Sequence, residues 1–285
     1  MSERNKMTVK YLVAGANGQL GQEIVRILQE RNENFVAFNS KELDITNRKL
    51  VFSVISDENP DVILDAAAYT KVDFAEEDGK YLNWLVNAEG TKNLADAAET
   101  VGATIVYVST DYVFEGLKLT GYLETDAVKP QTEYGRAKVA GEQAIKQNNS
   151  NYYIVRTSWV FGEFGNNFVH TMLKLGDKLD EINVVNDQKG RPTWTKTLAN
   201  FLLHLVDSDS EFGVYNLSND NEATWYEFAV EILKEKNVKV NPVKSSEFPT
   251  VAKRPKNSVL SLEKAKSTGF TIPTWQEALN EYLSR

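Results

Sequence analysis

The sequence predicts a doubly wound α/β fold, with a mainly parallel sheet and a smaller C-terminal lobe. Three observations predict it. Short apolar runs alternate with segments of helical periodicity up to about residue 160, most of the runs are apolar throughout, and a glycine-rich turn follows the first run. Strands that are apolar on both faces are typical of parallel sheets covered by helices on both sides.

The N-terminal part supplies the strands and helices of this sheet. The expected strands are VKYLVA (9–14), FVAF (35–38), VILDAAA (62–68), TIVYVS (104–109) and YYIVR (152–156), with helices over about 19–31, 80–101 and 133–147. Further strands are expected at INVV (182–185), GVYNLS (213–218) and SVLSL (258–262). We predict a dinucleotide-binding domain over 7–160 and a mainly substrate-binding lobe over 161–285, with segments returning to the first domain.

Composition excludes several classes of function. The 285 residues are 42% hydrophobic and 25% charged, with no cysteine, only His170 and His204, and a net charge of −8. Thiolate chemistry is therefore excluded, a histidine-based metal site is improbable, and nucleic acid is not an expected partner. No apolar stretch is long enough to span a membrane, and the polar start MSERNKM lacks the features of a secretory signal, so we expect a cytoplasmic protein.

The glycine-rich turn, residues 15–21, has the spacing that binds a dinucleotide. The first glycine permits a tight turn after the strand, the second lets the backbone approach a pyrophosphate, and the third lets the helix pack closely. The amino terminus of that helix then offers free N–H groups to the anion. A purely structural turn is the alternative.

The end of the second strand bears on the choice of cofactor. The acidic residue that often binds the adenosine ribose about 20 positions after the turn is missing, and the sequence reads Phe38-Asn39-Ser40-Lys41. Lys41 suits a 2′-phosphate, which favours NADPH over NADH. A solvated surface lysine is the alternative.

A tyrosine and a lysine are spaced one helical turn apart, in TEYGRAKVAGEQAIK. Tyr134 and Lys138 share one face of the predicted helix, and Ser109, Thr110 and Asp111 end the preceding strand. An ammonium close to a phenol lowers the pKa of the phenol, so Lys138 is expected to tune Tyr134 as a proton donor, while Thr110 binds the same substrate oxygen. The alternative is a tyrosine packed on the core in front of a solvated lysine.

Several motifs in series resemble a known family. They are GANGQLG, DAAAYTKVDFAE, VNAEGTKNLA, YVSTDYVFEG, YGRAK, VRTSWVFG, NDQKGRPTW and AKRPKNS, spread over nearly the whole chain. Together they resemble the extended short-chain dehydrogenase/reductases, whose fold is of the Rossmann type. Within these, they are most similar to the branch that reduces the 4-keto group of dTDP-4-dehydro-L-rhamnose to give dTDP-L-rhamnose for cell-surface polysaccharide.

The resemblance implies roles for individual residues. Catalysis would use Thr110, Tyr134 and Lys138, and the sugar pocket would include Val72, Thr110, Asp111 and Trp159, although Trp159 is equally consistent with an ordinary buried aromatic residue. Asn87 corresponds to a structural asparagine near the active site. The cofactor, NADPH or alternatively NADH, would contact Gly15, Ala16, Asn17, Gly18, Gln19, Leu20, Asp44, Ile45, Ala66, Ala67, Ala68, Tyr69, Tyr134 and Lys138.

Other implications stay open. Arg191 and Arg254 suit a nucleotide diphosphate or a salt bridge equally well. Some members of the family are described as magnesium-dependent homodimers that use glutamates at the subunit contact. Here Glu23 follows the glycine turn, but Lys196 stands near where a second acid would be sought, so no metal ligand is assigned and magnesium is doubtful. A monomer and a homodimer are both compatible with the sequence.

Two other functions are weighed against the reductase. One is another sugar-nucleotide enzyme of the extended family, an epimerase or a dehydratase, although a dehydratase would want a second acid beside Thr110-Asp111. The other is a non-catalytic NADP-binding subunit, because some proteins similar to this branch regulate S-adenosylmethionine synthetase. The joint presence of Thr110, Tyr134 and Lys138 favours an enzyme.

Overall fold

The computed structural model describes residues 9–285. The tail MSERNKM, including the predicted domain start at residue 7, lies outside the described residues. The strands are β1 (Lys10–Ala14), β2 (Asn34–Phe38), β3 (Val62–Asp65), β4 (Thr104–Thr110), β5 (Tyr152–Thr157), β6 (Val160–Phe161), β7 (Glu181–Val185), β8 (Lys189–Gly190), β9 (Thr193–Trp194), β10 (Gly213–Asn216), β11 (Ala223–Thr224) and β12 (Lys239–Val243). The helices are α1 (Gln19–Glu30), α2 (Arg48–Glu58), α3 (Lys80–Trp84), α4 (Thr91–Val101), α5 (Glu133–Asn148), α6 (Phe168–Gly176), α7 (Thr195–Asp207), α8 (Trp225–Ile232), α9 (Glu263–Ser267) and α10 (Trp275–Leu283).

A six-stranded sheet organises the N-terminal half. Its order is β2-β1-β3-β4-β5-β10, and every neighbouring pair is parallel. This confirms the predicted doubly wound α/β fold. The chain winds in opposite directions from the centre of the sheet, so a crevice opens between the carboxyl ends of β1 and β3, where ligands of such folds bind.

Helices cover both faces of this sheet because alternate strand residues point to opposite sides. Tyr11 and Val13 belong to a core that includes α1 and α7, whereas Leu12 and Ala14 belong to a core that includes α2 and α4. Helix α7 and strand β10 come from beyond residue 160 and pack with the first domain. A domain boundary near residue 160 stays a prediction.

The C-terminal half also has a core of its own. It is built from α6, α8, α10 and the parallel pair β7 and β12, and it contains the aromatic side chains Phe161, Trp194, Phe228, Trp275 and Tyr282. No helix within residues 9–285 is long and apolar enough to cross a membrane.

Some expected elements differ from the structure. Strand β3 ends at Asp65, so the three alanines after it form a loop, and the predicted helix over 80–101 is divided by a π-helical turn at Leu85–Gly90. Helix α2 was not expected. The strand predicted at 258–262 is wrong: Ser258 donates to the Lys189 carbonyl and Ser261 to the Tyr122 carbonyl, which lie on separate segments, so no ladder forms.

Candidate active site

The glycine turn lies in the crevice between β1 and β3. Gly15 has a φ of +81°, and a Cβ atom there would lie 2.7 Å from the backbone of Ala67. The N–H groups of Gly15 and Ala16 both donate to the Phe38 carbonyl at the end of β2, at 3.0 and 2.9 Å. The turn is thus held against the ends of both neighbouring strands, and Gly15 is required by its φ and by the close approach.

The amino terminus of α1 is open to an anion. Gly18 is its N-cap and provides no side-chain hydrogen bond. Within residues 9–285 we find no acceptor for the backbone N–H groups of Gln19 and Leu20. Asn17 and Gly18 are exposed beside them. Unpaired N–H groups at a positive helix end are a binding site for phosphate oxygens, so these residues fit a dinucleotide pyrophosphate.

A buried asparagine shapes the loop after β3. The Asn87 side chain accepts from the Tyr69 N–H at 3.1 Å and donates to the Tyr69 carbonyl at 2.9 Å. Asn87 is fully buried in the π-helical turn, as a structural asparagine should be. The Tyr69 hydroxyl lies beside Gly79, and Ala68 is exposed. The Ala66–Tyr69 loop therefore presents small side chains and fixed backbone beside the glycine turn.

The predicted adenine contacts lie on the loop after β2. One carboxylate oxygen of Asp44 accepts from the Thr46 N–H and hydroxyl, while Asp44 itself is exposed. Ile45 is buried, and Lys41 is exposed with no ion pair among the described residues. These positions leave Asp44 and Lys41 accessible to a ligand.

The catalytic candidates meet at the end of β4. The α5 N-cap Thr132 accepts from Gly135, whose Cβ, if present, would lie 2.3 Å from the Tyr112 carbonyl. This close contact holds the start of α5 against the turn after β4. Tyr134 is 9% exposed and Thr110 is 6% exposed. The Tyr112 and Tyr134 rings pack edge to face at 5.7 Å.

The pKa of Tyr134 differs from the expectation. Burial raises it, and the nearby Thr110 hydroxyl offsets only part of that rise. The expected lowering by Lys138 is wrong: Lys138 is not among the groups that shift the pKa of Tyr134, and its ammonium lies 4.0 Å from the centre of the Tyr107 ring. Desolvation opposes ionisation of a phenol, so Tyr134 keeps its proton at neutral pH.

Asp111 stands beside this pair. It is 2% exposed and accepts from the Thr110 hydroxyl at 3.0 Å, while its other oxygen has no hydrogen-bond partner within residues 9–285. Burial raises the pKa of Asp111 to about 6, although the Ser258 and Thr110 hydroxyls act in the opposite direction. The second oxygen has the Ser258 hydroxyl near it but makes no hydrogen bond of normal geometry, so it suits a substrate hydroxyl.

An open groove of about 420 Å³ borders the site and is lined by Val72, Asp73 and Arg254 among others. Arg254 donates to the Tyr112 hydroxyl at 2.8 Å and pairs with Asp73. Arg191 pairs with Asp220 at 2.7 Å. Both arginines therefore make salt bridges with carboxylates of the chain itself.

Trp159 belongs to the C-terminal side of the site. It has a φ of +48° and stacks on Trp225 with the ring centres 3.7 Å apart. Gly190 lies against its indole ring, where a Cβ atom would come within 2.7 Å. Trp159 is only half-buried, so one part of the ring can meet a ligand.

The donor set around Glu23 does not fit magnesium. The Glu23 carboxylate is fully buried and pairs with Arg26 at 2.5 Å. Arg26 also binds Glu163, which binds Arg285 in turn. No group of three potential ligands of the His, Cys, Asp or Glu type occurs within residues 9–285. Guanidinium groups thus neutralise this acidic cluster.

Several residues of the site were not predicted from the sequence. Tyr112 packs on Tyr134, and Asp73 binds Arg254. Asp65 and Glu142 are buried carboxylates near Lys138. A signal existed for Asp65, because a charged residue ends the apolar run VIL at the carboxyl edge of the sheet. Arg254, the partner of Asp73, and Arg156, the main partner of Glu142, carried no local signal.

Comparison with known proteins identifies the relatives of this chain. The family model described as RmlD substrate binding domain matches residues 9–285. The chain is 40% identical to dTDP-4-dehydrorhamnose reductase of Aggregatibacter actinomycetemcomitans, covering 95% of this chain and 97% of the relative. It is 38% identical to the spore coat polysaccharide biosynthesis protein SpsK of Bacillus subtilis (strain 168), covering 96% of each. The crystal structure of dTDP-4-dehydrorhamnose reductase from Bacillus anthracis in complex with NADP superposes with a TM-score of 0.94, at 41% identity, covering 98% of this chain and 99% of that one.

Proposed function

Because the chain belongs to the RmlD substrate binding domain family of dTDP-4-dehydrorhamnose reductases, we propose that it reduces the 4-keto group of dTDP-4-dehydro-L-rhamnose with NADPH. The product is dTDP-L-rhamnose, a precursor of polysaccharide. The chain is an NAD(P)H-dependent oxidoreductase, and the preference for NADPH over NADH is part of the proposal. That the protein is located in the cytoplasm remains a prediction. That it is a monomer or a homodimer also remains a prediction.

One observation carries the proposal. The Tyr134 phenol, held in its protonated form, lies beside the Thr110 hydroxyl at the carboxyl end of β4, in the same sheet edge as the open amino terminus of α1. A reductase needs a proton donor and a dinucleotide site next to each other. This arrangement supports both.

The cofactor supplies a hydride from C4 of its nicotinamide to C4 of the sugar. For binding it, we assign the N–H groups of Gln19 and Leu20 to the pyrophosphate, and Asp44 and Ile45 to the adenine. The backbone of Ala66–Tyr69 borders the phosphates and ribose. Lys41 is assigned to the 2′-phosphate, and Lys138 to the nicotinamide ribose.

The protein's own task is to hold the carbonyl and deliver a proton. We assign the Thr110 hydroxyl, which donates to Asp111 in this structure, to turn and donate to the carbonyl oxygen of bound substrate, where it stabilises the negative charge that develops. Tyr134 then gives its phenolic proton to that oxygen. A donor must carry its proton before the step begins, and burial keeps the Tyr134 phenol protonated at neutral pH.

Specificity is assigned to groups around this pair. Asp111 has a free carboxylate oxygen for a sugar hydroxyl, and Val72 lies in the groove shared with Arg254. Trp159 offers the uncovered part of its ring to the sugar or the base. Arg254 can leave its ion pair with Asp73 and bind a diphosphate oxygen instead, since a guanidinium binds either anion.

The decisive experiment follows NADPH oxidation with dTDP-4-dehydro-L-rhamnose for the parent and for Tyr134→Phe. We expect the variant to lose at least about two orders of magnitude in rate with little change in NADPH affinity, as for loss of a positioned acid. Tyr122→Phe is the matched control. Within residues 9–285 the Tyr122 hydroxyl accepts from the N–H groups of Leu117 and Lys118, neither of which is assigned to the site, so the rate of this variant should stay near that of the parent.

The alternatives give different results. An unchanged rate for Tyr134→Phe would overturn the assignment of the proton donor. Parent protein that binds NADPH but oxidises none with any 4-keto sugar nucleotide would favour the regulatory subunit. Tightly retained NAD that is recycled without net oxidation would favour an epimerase or dehydratase.

A further inference from the structure

Asp65 is a buried carboxylate that the mechanism above does not use. It is the last residue of β3 and is 2% exposed. The cofactor loop Ala66–Tyr69 begins immediately after it. Burying a carboxylate is unfavourable unless neighbouring groups compensate its charge, so the surroundings of Asp65 matter.

The hydrogen-bond partners of Asp65 are neutral. One carboxylate oxygen accepts from the Ala67 N–H at 3.1 Å, and the other accepts from the Thr91 hydroxyl at 3.5 Å. Among the described residues, no lysine or arginine lies within salt-bridge distance of it. The negative charge of Asp65 is therefore not neutralised by a direct ion pair, and it can stabilise a nearby cation through space.

Lys138 is the cation on the facing helix. It is 1% exposed, and we find no direct hydrogen bond or ion pair for its ammonium within the described part of the chain. The ammonium lies 4.0 Å from the centre of the Tyr107 ring. Tyr107 is the register partner of Asp65 on the neighbouring strand, which places Asp65 next to the ring that the Lys138 ammonium contacts.

The other charged group near Lys138 is already neutralised. Glu142 accepts two hydrogen bonds from the buried Arg156, at 2.8 and 2.7 Å, and also pairs with Lys146 at 3.3 Å. Ser109 donates to the same carboxylate at 2.7 Å. Glu142 is thus already paired with two cations, Arg156 and Lys146, so its net field at Lys138 is weakened, whereas Asp65 has no such partner.

We propose that Asp65 is a positioning residue for the reduction. Its carboxylate, which has no ion-pair partner among the described residues, keeps the Lys138 side chain cationic inside the site. The hydrogen bond that it accepts from the Ala67 N–H fixes the cofactor loop. This inference rests on the proposed function for its catalytic meaning. The electrostatic interaction between Asp65 and Lys138 does not depend on the proposed function, and it can be measured without substrate.

The acid–base properties of the pair agree with this geometry. Burial lowers the pKa of Lys138, and the carboxylates of Asp65 and then Glu142 raise it again. Burial raises the pKa of Asp65, and the Lys138 cation is the largest influence that lowers it. The remaining titratable neighbours, Tyr107 and Tyr134, stay neutral because burial raises the pKa of both.

The test replaces the charge and keeps the shape. Asp65→Asn retains an oxygen acceptor for the Ala67 N–H but carries no charge. Protein with isotope-labelled lysine Cε, free of ligand, is titrated by NMR from about pH 4 to about pH 10, a range that covers both a buried carboxyl and a lysine whose pKa is lowered by burial. Comparison with Lys138→Arg assigns the signal. We expect the Lys138 midpoint to fall by about one unit in Asp65→Asn.

Asp61→Asn is the matched control, because Asp61 immediately precedes the same strand, is exposed, and accepts from the Lys10 N–H. It should leave the Lys138 midpoint where it is in the parent. An equal midpoint in Asp65→Asn and the parent would overturn the proposal.

Turnover gives the second readout. On the alkaline side, the rate of Asp65→Asn should fall below that of the parent by up to about tenfold, since a one-unit fall in pKa reduces the cationic fraction by that factor. On the acidic side the two rates should converge. A uniform loss at every pH would indicate a structural role only and would contradict the proposal.

The unaltered protein provides a test that does not depend on folding of the variant. With labelled aspartate Cγ as well, the Lys138 signal of the parent should shift at the pH where Asp65 titrates. A Lys138 signal that ignores this titration refutes the inference. If the parent shows the link but does not oxidise NADPH with the 4-keto sugar, the proposed function fails and the electrostatic pair stands.

Discussion

Substituting Gly21 by alanine tests how the glycine turn positions the amino terminus of α1. A Cβ atom at Gly21 would lie 2.1 Å from the Gly15 carbonyl oxygen and 2.9 Å from the Ala16 Cα. Carbon and oxygen normally approach to about 3.3 Å, so the helix must move by about 1 Å relative to the turn. Both obstacles are backbone atoms, and neither can rotate away.

The consequences follow from that displacement. Overpacking of this kind costs about 1–3 kcal/mol, which lowers the melting temperature by several degrees in a chain of this size. The unpaired N–H groups of Gln19 and Leu20 move with the helix. A charge-assisted hydrogen bond contributes about 1.5–3 kcal/mol, so losing one pyrophosphate contact should weaken NADPH binding at least about tenfold.

The assay combines NADPH fluorescence titration with thermal unfolding. Gly102→Ala is the control: Gly102 has a φ of +72° with nothing within 4 Å of the added Cβ, so it should lose about 1–2 kcal/mol of stability and no NADPH affinity. Folded Gly21→Ala protein that binds NADPH as tightly as the parent would refute the assigned role of the helix terminus.

Two further predictions concern charge. Glu142→Gln leaves the buried Arg156 without its anion and should cost about 3–5 kcal/mol of stability in urea unfolding at neutral pH. Arg156 chiefly lowers the pKa of Glu142 against the effect of burial, so this difference should persist above pH 4.5 and shrink as the pH falls through the lowered pKa; a difference independent of pH would contradict the pairing. Lys41→Ala should raise the KM for NADPH by about tenfold and leave the KM for NADH unchanged, because only NADPH carries the 2′-phosphate. Equal effects on both cofactors would remove Lys41 from that role.

Local pattern was sufficient for the framework of the fold. The buried strands around Leu12, Ile63 and Ile105 read as apolar runs because both of their faces are covered. Helix α5 could be placed because its helical pattern and the spacing of Tyr134 and Lys138 lie within the same short stretch. The failures at 62–68 and 258–262 have one reason: an apolar run shows that a segment is buried but does not show whether a neighbouring strand pairs with it.

The sequence by itself determined the α/β class, the glycine turn, and the spacing that puts Tyr134 and Lys138 on one helix face. Those features depend on residues a few positions apart. Only the tertiary structure decided which charges meet: Lys138 lies over Tyr107 near Asp65, and Arg254 binds Asp73 from the far end of the chain. The physical reason is that burial and the distance between charges set a pKa and an ion pair, and both are created when distant segments pack together.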